Sequence, residues 1–225
     1  MRLLSNSILQ SCLLFTPCKQ NNCILYTVST RREQTHKKLL DAARYLLEES
    51  GLDIRLEDVA KRAGVSRQAV YLHFKSRSGL LVELFELMDD ILKYDVGSLI
   101  DKTPSGIELL QALVEQRVTY VSKIYPYASQ LIANRAKDDG PGRAVYEDRQ
   151  KARRNDYRLI VNHLKNGGYL ADEWDIDDAV EIVRVTLSIP NLQDLVIESG
   201  MSQKKYTELM TKTLVGALIN PDKRA

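Results

Sequence analysis

From Arg31 onward, apolar residues recur three and four positions apart. Leu39, Leu40, Ala43, Leu46 and Leu47 share one face, with Lys37, Lys38, Asp41, Arg44 and Glu48 elsewhere, which predicts an amphipathic helix. Gly51 is placed to end it. A short helix over 56–63 follows, turning Leu56, Val59, Ala60 and Ala63 inward. Gly64-Val65-Ser66 reads as a tight turn, with Ser66 as the cap of a further short helix over 67–73. Ser76 then caps a longer one carrying Leu80, Leu81, Leu84, Phe85, Met88, Ile91 and Leu92. After a break at Thr103-Pro104-Ser105-Gly106, helices are predicted over 106–124, 126–137, 143–166, 175–198 and 203–219. Pro126, Gly140-Pro141-Gly142, Gly167-Gly168 and Gly200 separate them, and Pro190 should kink the fourth. No stretch alternates as a strand would, so the fold class is all-α.

Composition sharpens this picture by exclusion. The 225 residues are 44% hydrophobic and 28% charged, enough apolar material for a core and too little for a membrane protein. The net charge of +2 hides an asymmetry. Residues 31–80 hold eleven Lys/Arg against seven Asp/Glu, whereas 81–225 hold nineteen against twenty-three. A basic segment on an acidic remainder fits a nucleic-acid-binding head on a body that repels DNA.

Residues 1–30 break the pattern. They contain all three cysteines (Cys12, Cys18, Cys23), at spacings that suit neither zinc nor a disulfide framework. Their longest apolar run, Cys12–Phe15, is too short for a secretory leader. We expect an extension that is either disordered or outside the native reading frame, with Leu25 or Val28 as the true start. The protein is then expected to be cytoplasmic.

The chemistry concentrates in Leu56-Glu57-Asp58-Val59-Ala60-Lys61-Arg62-Ala63-Gly64-Val65-Ser66-Arg67-Gln68-Ala69-Val70-Tyr71-Leu72-His73-Phe74, which has the grammar of a helix-turn-helix. Ala60 is small where the second helix crosses, Gly64 permits a positive φ, and Val59, Val65, Val70 and Phe74 pin the helices together. Arg67, Gln68, Tyr71 and Leu72 are left exposed. Arg and Gln are side chains that read guanine and adenine edges in the major groove. Tyr71, His73 and Lys75 can hold phosphates, which fix register without reading sequence. The plainer alternative is a helical hairpin whose polar residues merely face water.

The match extends beyond that hairpin. Residues 34–81, with LEDVAKRAGVS followed by AVYLHFKSRSGLL, resemble the TetR family of bacterial transcriptional regulators. The resemblance implies a three-helix DNA-binding domain over 31–78 joined to a helical ligand-binding and dimerisation domain over 79–225. It puts Ser66, Arg67, Gln68, Tyr71, His73 and Lys75 at the DNA. His73 stands where the family often has Tyr, and Arg55 where Ser or Thr commonly caps the second helix.

By the same resemblance the protein is a homodimeric repressor. It would be released from a palindromic double-stranded DNA operator by a small-molecule effector, with no cofactor, metal or membrane. Apolar stripes suited to pairing are Ile176, Val180, Val183 and Leu187, then Tyr206, Leu209, Met210, Leu214 and Leu218. Pocket candidates are Tyr120, Tyr127, Arg154, Tyr157 and Asn191, with Tyr125, Arg135, Tyr146, His163 and Trp174 behind them. Arg149, Arg153, Arg154 and Arg158 read as a solvated or interface face. Asp172, Glu173, Asp175, Asp177 and Asp178 read as helix capping, because a calcium loop needs alternating ligands and a central Gly. An enzyme is disfavoured: His36, His73 and His163 are scattered, and neither a phosphate loop nor a nucleophile elbow is present. An architectural helical domain would be expected to lose the Tyr71 and Lys75 phosphate pair, which this chain keeps.

Overall fold

A computed structural model describes residues 30–103, 106–134 and 141–224. The cysteines, Arg135 and the proposed alternative start sites lie outside the described residues.

The first four helices are set by local chemistry. Helix α1 (Arg31–Ser50) opens on a reciprocal cap. Thr30 Oγ1 accepts from Glu33 N at 3.2 Å, and Glu33 Oε2 accepts from Thr30 N at 2.7 Å. Gly51 closes it at φ 63°, donating its N–H to Leu47 O. Helix α2 (Leu56–Ala63) has no side-chain cap at Arg55. Its approach is fixed instead by burial of Leu52 and Ile54 and by Arg77, which donates to Leu52 O at 2.6 Å. Gly64 ends α2 in the left-handed conformation. Ser66 then caps α3 (Arg67–His73) by accepting from Ala69 N at 3.1 Å, and Ser76 caps α4 (Arg77–Ile91) by accepting from Gly79 N at 3.1 Å. Leu39, Ala43, Leu47, Val59, Val70, Phe74, Leu81 and Phe85 close into one core.

Beyond α4 the structure departs from expectation in three places. A six-residue helix, α5 (Gly97–Lys102), follows α4; it is too short to show periodicity in the sequence. Helix α6 (Gly106–Asn134) runs unbroken through Pro126, where a break was predicted. Pro126 and Ser122, whose carbonyl the proline leaves unbonded, both lie on the solvent face. Water can therefore satisfy that carbonyl while Val121, Ile124, Ala128 and Leu131 stay buried on the opposite side. After α7 (Pro141–Asn166), the helix expected over 175–198 is broken rather than kinked. It divides into α8 (Ile176–Thr186) and α9 (Ile189–Leu192), the latter continuing as a π-helical turn over Gln193–Glu198. Ser188 caps α9 with Pro190 in its first turn, where a missing N–H costs nothing. Asn191 Nδ2 turns back to donate to Val185 O at 2.7 Å and Thr186 O at 3.3 Å.

Helix α10 (Gln203–Leu218) packs along α6 and against α8. A single bridge, Leu170 to Ile219, ties its end to the turn after α7, and among the described residues there is no strand. The second core joins α6, α7, α8 and α10 around Leu110, Val114, Tyr157, Val180 and Leu214. The two cores meet along α4, where Met88 packs against both. Leu131 of α6 and Val145 of α7 belong to the first core, alongside α1–α4. No described helix is long and apolar enough to cross a membrane.

Two glycines separate conformational strain from crowding. At Gly64 a Cβ would meet nothing within 4 Å, so Gly64→Ala costs only its left-handed φ, about 1 kcal/mol. At Gly51 a Cβ would approach the Gln130 amide at 2.8 Å, in a backbone region reserved for glycine. Gly51→Ala should therefore cost about 2 kcal/mol or more in urea denaturation. Equal losses at the two sites would show that the Gln130 contact is not constraining.

Candidate DNA-binding and effector sites

The turn between α2 and α3 presents one face of α3 to solvent. Arg67 and Gln68 are exposed, Tyr71 is 48% and Leu72 74% exposed, and Ser66 and Lys75 flank them in the open. An apolar side chain as exposed as Leu72 on a structured helix suits contact with a thymine methyl. Gln68 and Lys75 make no hydrogen bond or ion pair among the described residues. Arg67 instead pairs with Glu57 across the turn, an exposed contact worth at most about 1 kcal/mol that DNA can displace.

His73 is placed differently from its neighbours. Its ring turns to α1, with Nδ1 3.3 Å from Nδ1 of His36, whose Nε2 lies 2.9 Å from Glu83 Oε2. A carboxylate only accepts, so His36 donates from Nε2 to Glu83, and in the neutral ring its Nδ1 accepts from His73 Nδ1–H. The chain Glu83–His36–His73 thus braces α3 against α1 and α4. In that tautomer His73 Nε2 is an acceptor and would serve a phosphate only when protonated. Burial, reinforced by the nearby His36 and Arg32, pushes the His73 pKa below its ordinary 6.5.

The body holds a cavity of about 240 Å³ between α4, α6, α7 and the α8–α9 break. Of the sequence-proposed pocket residues, Tyr120, Tyr146 and Tyr157 line it. Tyr127 packs on the first core instead. Arg154 is exposed and paired with Glu181, and Asn191 is spent on the α8 carbonyls beside the cavity wall. Trp174 donates to Ala217 O at 2.8 Å, and Tyr125 and His163 are half-buried away from the cavity lining.

The arginine run corrects the expectation of a solvated face. Arg149 and Arg153, one helical turn apart, point inward and line the cavity, while Arg154 and Arg158 face out to pair with Glu181 and Asp177 of α8. Both inward arginines grip Asp89 of α4. Arg149 Nη1 donates to Oδ2 at 2.9 Å, and Arg153 Nη2 donates to both oxygens at 2.9 and 2.8 Å. Arg153 is 5% exposed, lies 3.9 Å over the Tyr94 ring and also donates to Asp156 at 2.8 Å. Burial opposes its charge, but attraction to Tyr94, Asp89, Tyr120 and Asp156 outweighs this and holds its pKa above normal. Tyr120 is raised by burial first and then by Asp89.

The acidic stretch behaves as a cap. Asp175 accepts from Asp178 N at 2.8 Å, and no metal-binding cluster occurs among the described residues.

An all-α chain with a capped helix-turn-helix exposing Arg and Gln, joined to a helical body around a cavity, defines a DNA-binding transcription regulator. A family model described as bacterial regulatory proteins of the tetR family matches residues 39–84. The chain is 28% identical over 167 residues to the HTH-type transcriptional repressor KstR2 of Mycobacterium tuberculosis, covering 71% of this chain and 78% of that one. A TetR-family regulator from Mesorhizobium loti superposes with TM-score 0.65 at 19% identity, covering 85% of this chain and all of the other. The SmeT–triclosan complex gives 0.65 at 18% identity, covering 85% and 95%. Residues 39–84 thus match the TetR-family DNA-binding segment, and the chain is similar to TetR-family transcription regulators over most of its length.

Two expectations follow from this geometry. Because the His73 pKa is lowered, the unfolded chain takes up the proton first as pH falls. The stabilisation is therefore present above about pH 6.5 and is lost as pH drops through that value toward the folded pKa. Urea midpoints at pH 7.5 and 5.5 should differ more in the wild type than in His73→Tyr; an identical pH dependence would refute the assignment. Separately, Asp89→Ala should cost about 3 kcal/mol, because it leaves two inward guanidinium groups short of a counter-ion. A loss within 0.5 kcal/mol, roughly that of an ordinary surface substitution, would mean the clamp contributes little.

Proposed function

We propose that the protein is a homodimeric repressor that a small-molecule effector, bound in the α6–α7 cavity, releases from a palindromic operator. The observation that carries this reading is the position of α4. Phe85 belongs to the core of α1–α4 and also lines the cavity, and Asp89 is gripped by two cavity arginines. Anything that shifts the cavity wall therefore moves the helix on which the DNA-binding segment is mounted. On this reading the chain divides into a head over 31–78 and a body over 79–225, with the start of α4 as hinge. The protein works in the cytoplasm, where its operator lies.

Two heads must span roughly 34–36 Å, or a multiple, to enter successive major grooves. A tilt of α4 would alter that span without touching Arg67 or Gln68. Reversing a 99:1 population needs about 10⁴-fold preference of the effector for the splayed state, and DNA must then weaken effector binding equally. The name of KstR2 as a repressor and the triclosan bound to SmeT support this direction of control.

Most of the two stripes suggested for pairing is buried within the subunit, and Leu209 is the stripe residue left exposed. Val180, Val183, Leu187, Tyr206, Met210, Leu214 and Leu218 are all consumed within the subunit core. Leu159, Val185, Ile197 and Leu209 remain exposed on the body and supply apolar contact area for a second copy.

Base reading is assigned to Arg67 and Gln68, and phosphate holding to Tyr71 and Lys75. The Ser66 side chain fixes the start of α3, and His73 joins the phosphate contacts when protonated. With duplex from the DNA flanking the gene, Arg67→Ala or Gln68→Ala should lose about 1–3 kcal/mol on the cognate site and relax one position of each half-site. Lys75→Ala should weaken cognate and random duplex alike and lower the salt slope by about one. Sedimentation of the cognate complex should show two 25.6 kDa chains per site. One chain per site, or equal losses on both duplexes for Arg67→Ala, would sink the corresponding assignment.

A further inference from the structure

The cavity has a charge pattern that the function above does not require. All the charged residues among its described lining are arginines: Arg117, Arg149, Arg153 and Arg184. Three have carboxylates behind them, away from the cavity. Arg149 and Arg153 share Asp89 and add Asp148 and Asp156, and Arg184 donates to Glu181 at 2.6 Å.

Arg117 does not follow this pattern. It is 7% exposed, and its Nε donates to Leu187 O at 3.3 Å, at the end of α8. Its two terminal nitrogens make no hydrogen bond, and no carboxylate lies within ion-pairing distance, among the described residues. Tyr120 offers only a ring face 5.8 Å away. Asp156 acts on Arg117 only from beyond contact, and a buried cation with no carboxylate in direct contact is costly. Such a group suits a site whose anion arrives from outside.

Apart from three tyrosines, Gln150 and Ser188, the rest of the wall is apolar, with Phe85, Ile124, Ala128, Leu131 and Ile189. The volume of about 240 Å³ exceeds the ~150 Å³ that holds benzene, so it admits a ring with a short side chain or a medium acyl chain.

We propose that the effector is a small amphipathic carboxylic acid, its carboxylate accepting from the terminal nitrogens of Arg117 and its apolar body lying against α6 and α9. The fork of a guanidinium matches a carboxylate through two parallel N–H···O bonds. The nucleotide of a coenzyme A thioester would have to lie outside the cavity, and the thioester lacks the carboxylate that Arg117 needs. This inference rests on the reading of the cavity as the effector site.

The test uses calorimetry on the full chain with octanoate, phenylacetate, their matched alcohols 1-octanol and 2-phenylethanol, and octanoyl-coenzyme A. At least one acid should bind one per chain and at least tenfold more tightly than its alcohol. Arg117→Gln should bring that acid down to the level of the alcohol, whereas Arg117→Lys and Arg184→Gln should keep the preference. Circular dichroism checks that each variant is folded, and the acid-to-alcohol ratio on the wild type decides the matter independently of any variant. The proposal is overturned by equal affinities for acid and alcohol, by a preference that survives Arg117→Gln, by tighter binding of the thioester, or by no saturable binding of either acid. Anisotropy of labelled flanking DNA in the same titrations separates the two readings. Alcohols that bind and release DNA as well as acids do would keep the effector site and remove the acid. Acids that bind through Arg117 without releasing DNA would keep the acid and remove the release mechanism.

Discussion

The contact on which the architecture turns is the grip of Arg149 and Arg153 on Asp89. It joins α7 to α4 by three hydrogen bonds of 2.8–2.9 Å, at the point where one core gives way to the other. Charges this buried repay their desolvation only when geometry and hydrogen bonding are good, and here each arginine finds a further acid on its own helix, Asp148 or Asp156. The clamp fixes the angle at which α4 leaves the body. The position of α3 then follows from the capping of α4 by Ser76 and the packing of Phe74 and Phe85. Since both arginines also wall the cavity, the same contact links its lining to α4.

The first four helices were legible because their signals are local. Ser66, Ser76, Gly51 and Gly64 each end or start a helix through bonds spanning three or four residues, and each forms the bond its residue type predicts. Prolines proved less legible. Pro126 and Pro190 look alike in sequence, yet one sits within a continuous helix and the other starts a new one. What separates them is which carbonyl loses its donor, and whether solvent or a side chain such as Asn191 can satisfy it. Window periodicity cannot see that.

The cavity was partly legible. Aromatic residues on helices, such as Tyr120 and Tyr157, gave a signal, but the arginines did not. Their i,i+4 spacing suits an inward and an outward face equally, and the choice depends on Asp89, sixty residues earlier in the chain. Arg117 offered no cue, being one of two cations on a long helix. Its significance comes from the lack of a carboxylate within ion-pairing distance, which only the packed chain displays. The apolar stripes of α8 and α10 do not by themselves mark an interface, for a related reason: any helix buried in its own subunit carries one.

The contact of Gln130 with the α1–α2 corner bears on how such regulators can be recombined. Gln130 accepts from Leu52 N at 3.1 Å, and Leu131 and Val145 complete the core around α1–α4. The DNA-reading segment is therefore not a detachable cassette. A hybrid that joined residues 31–78 to a foreign body would expose apolar surface on one side and leave Leu52 N without its acceptor. A working chimera has to carry the end of α6 and the beginning of α7 along with the segment it transplants, so the exchangeable unit is discontinuous in sequence.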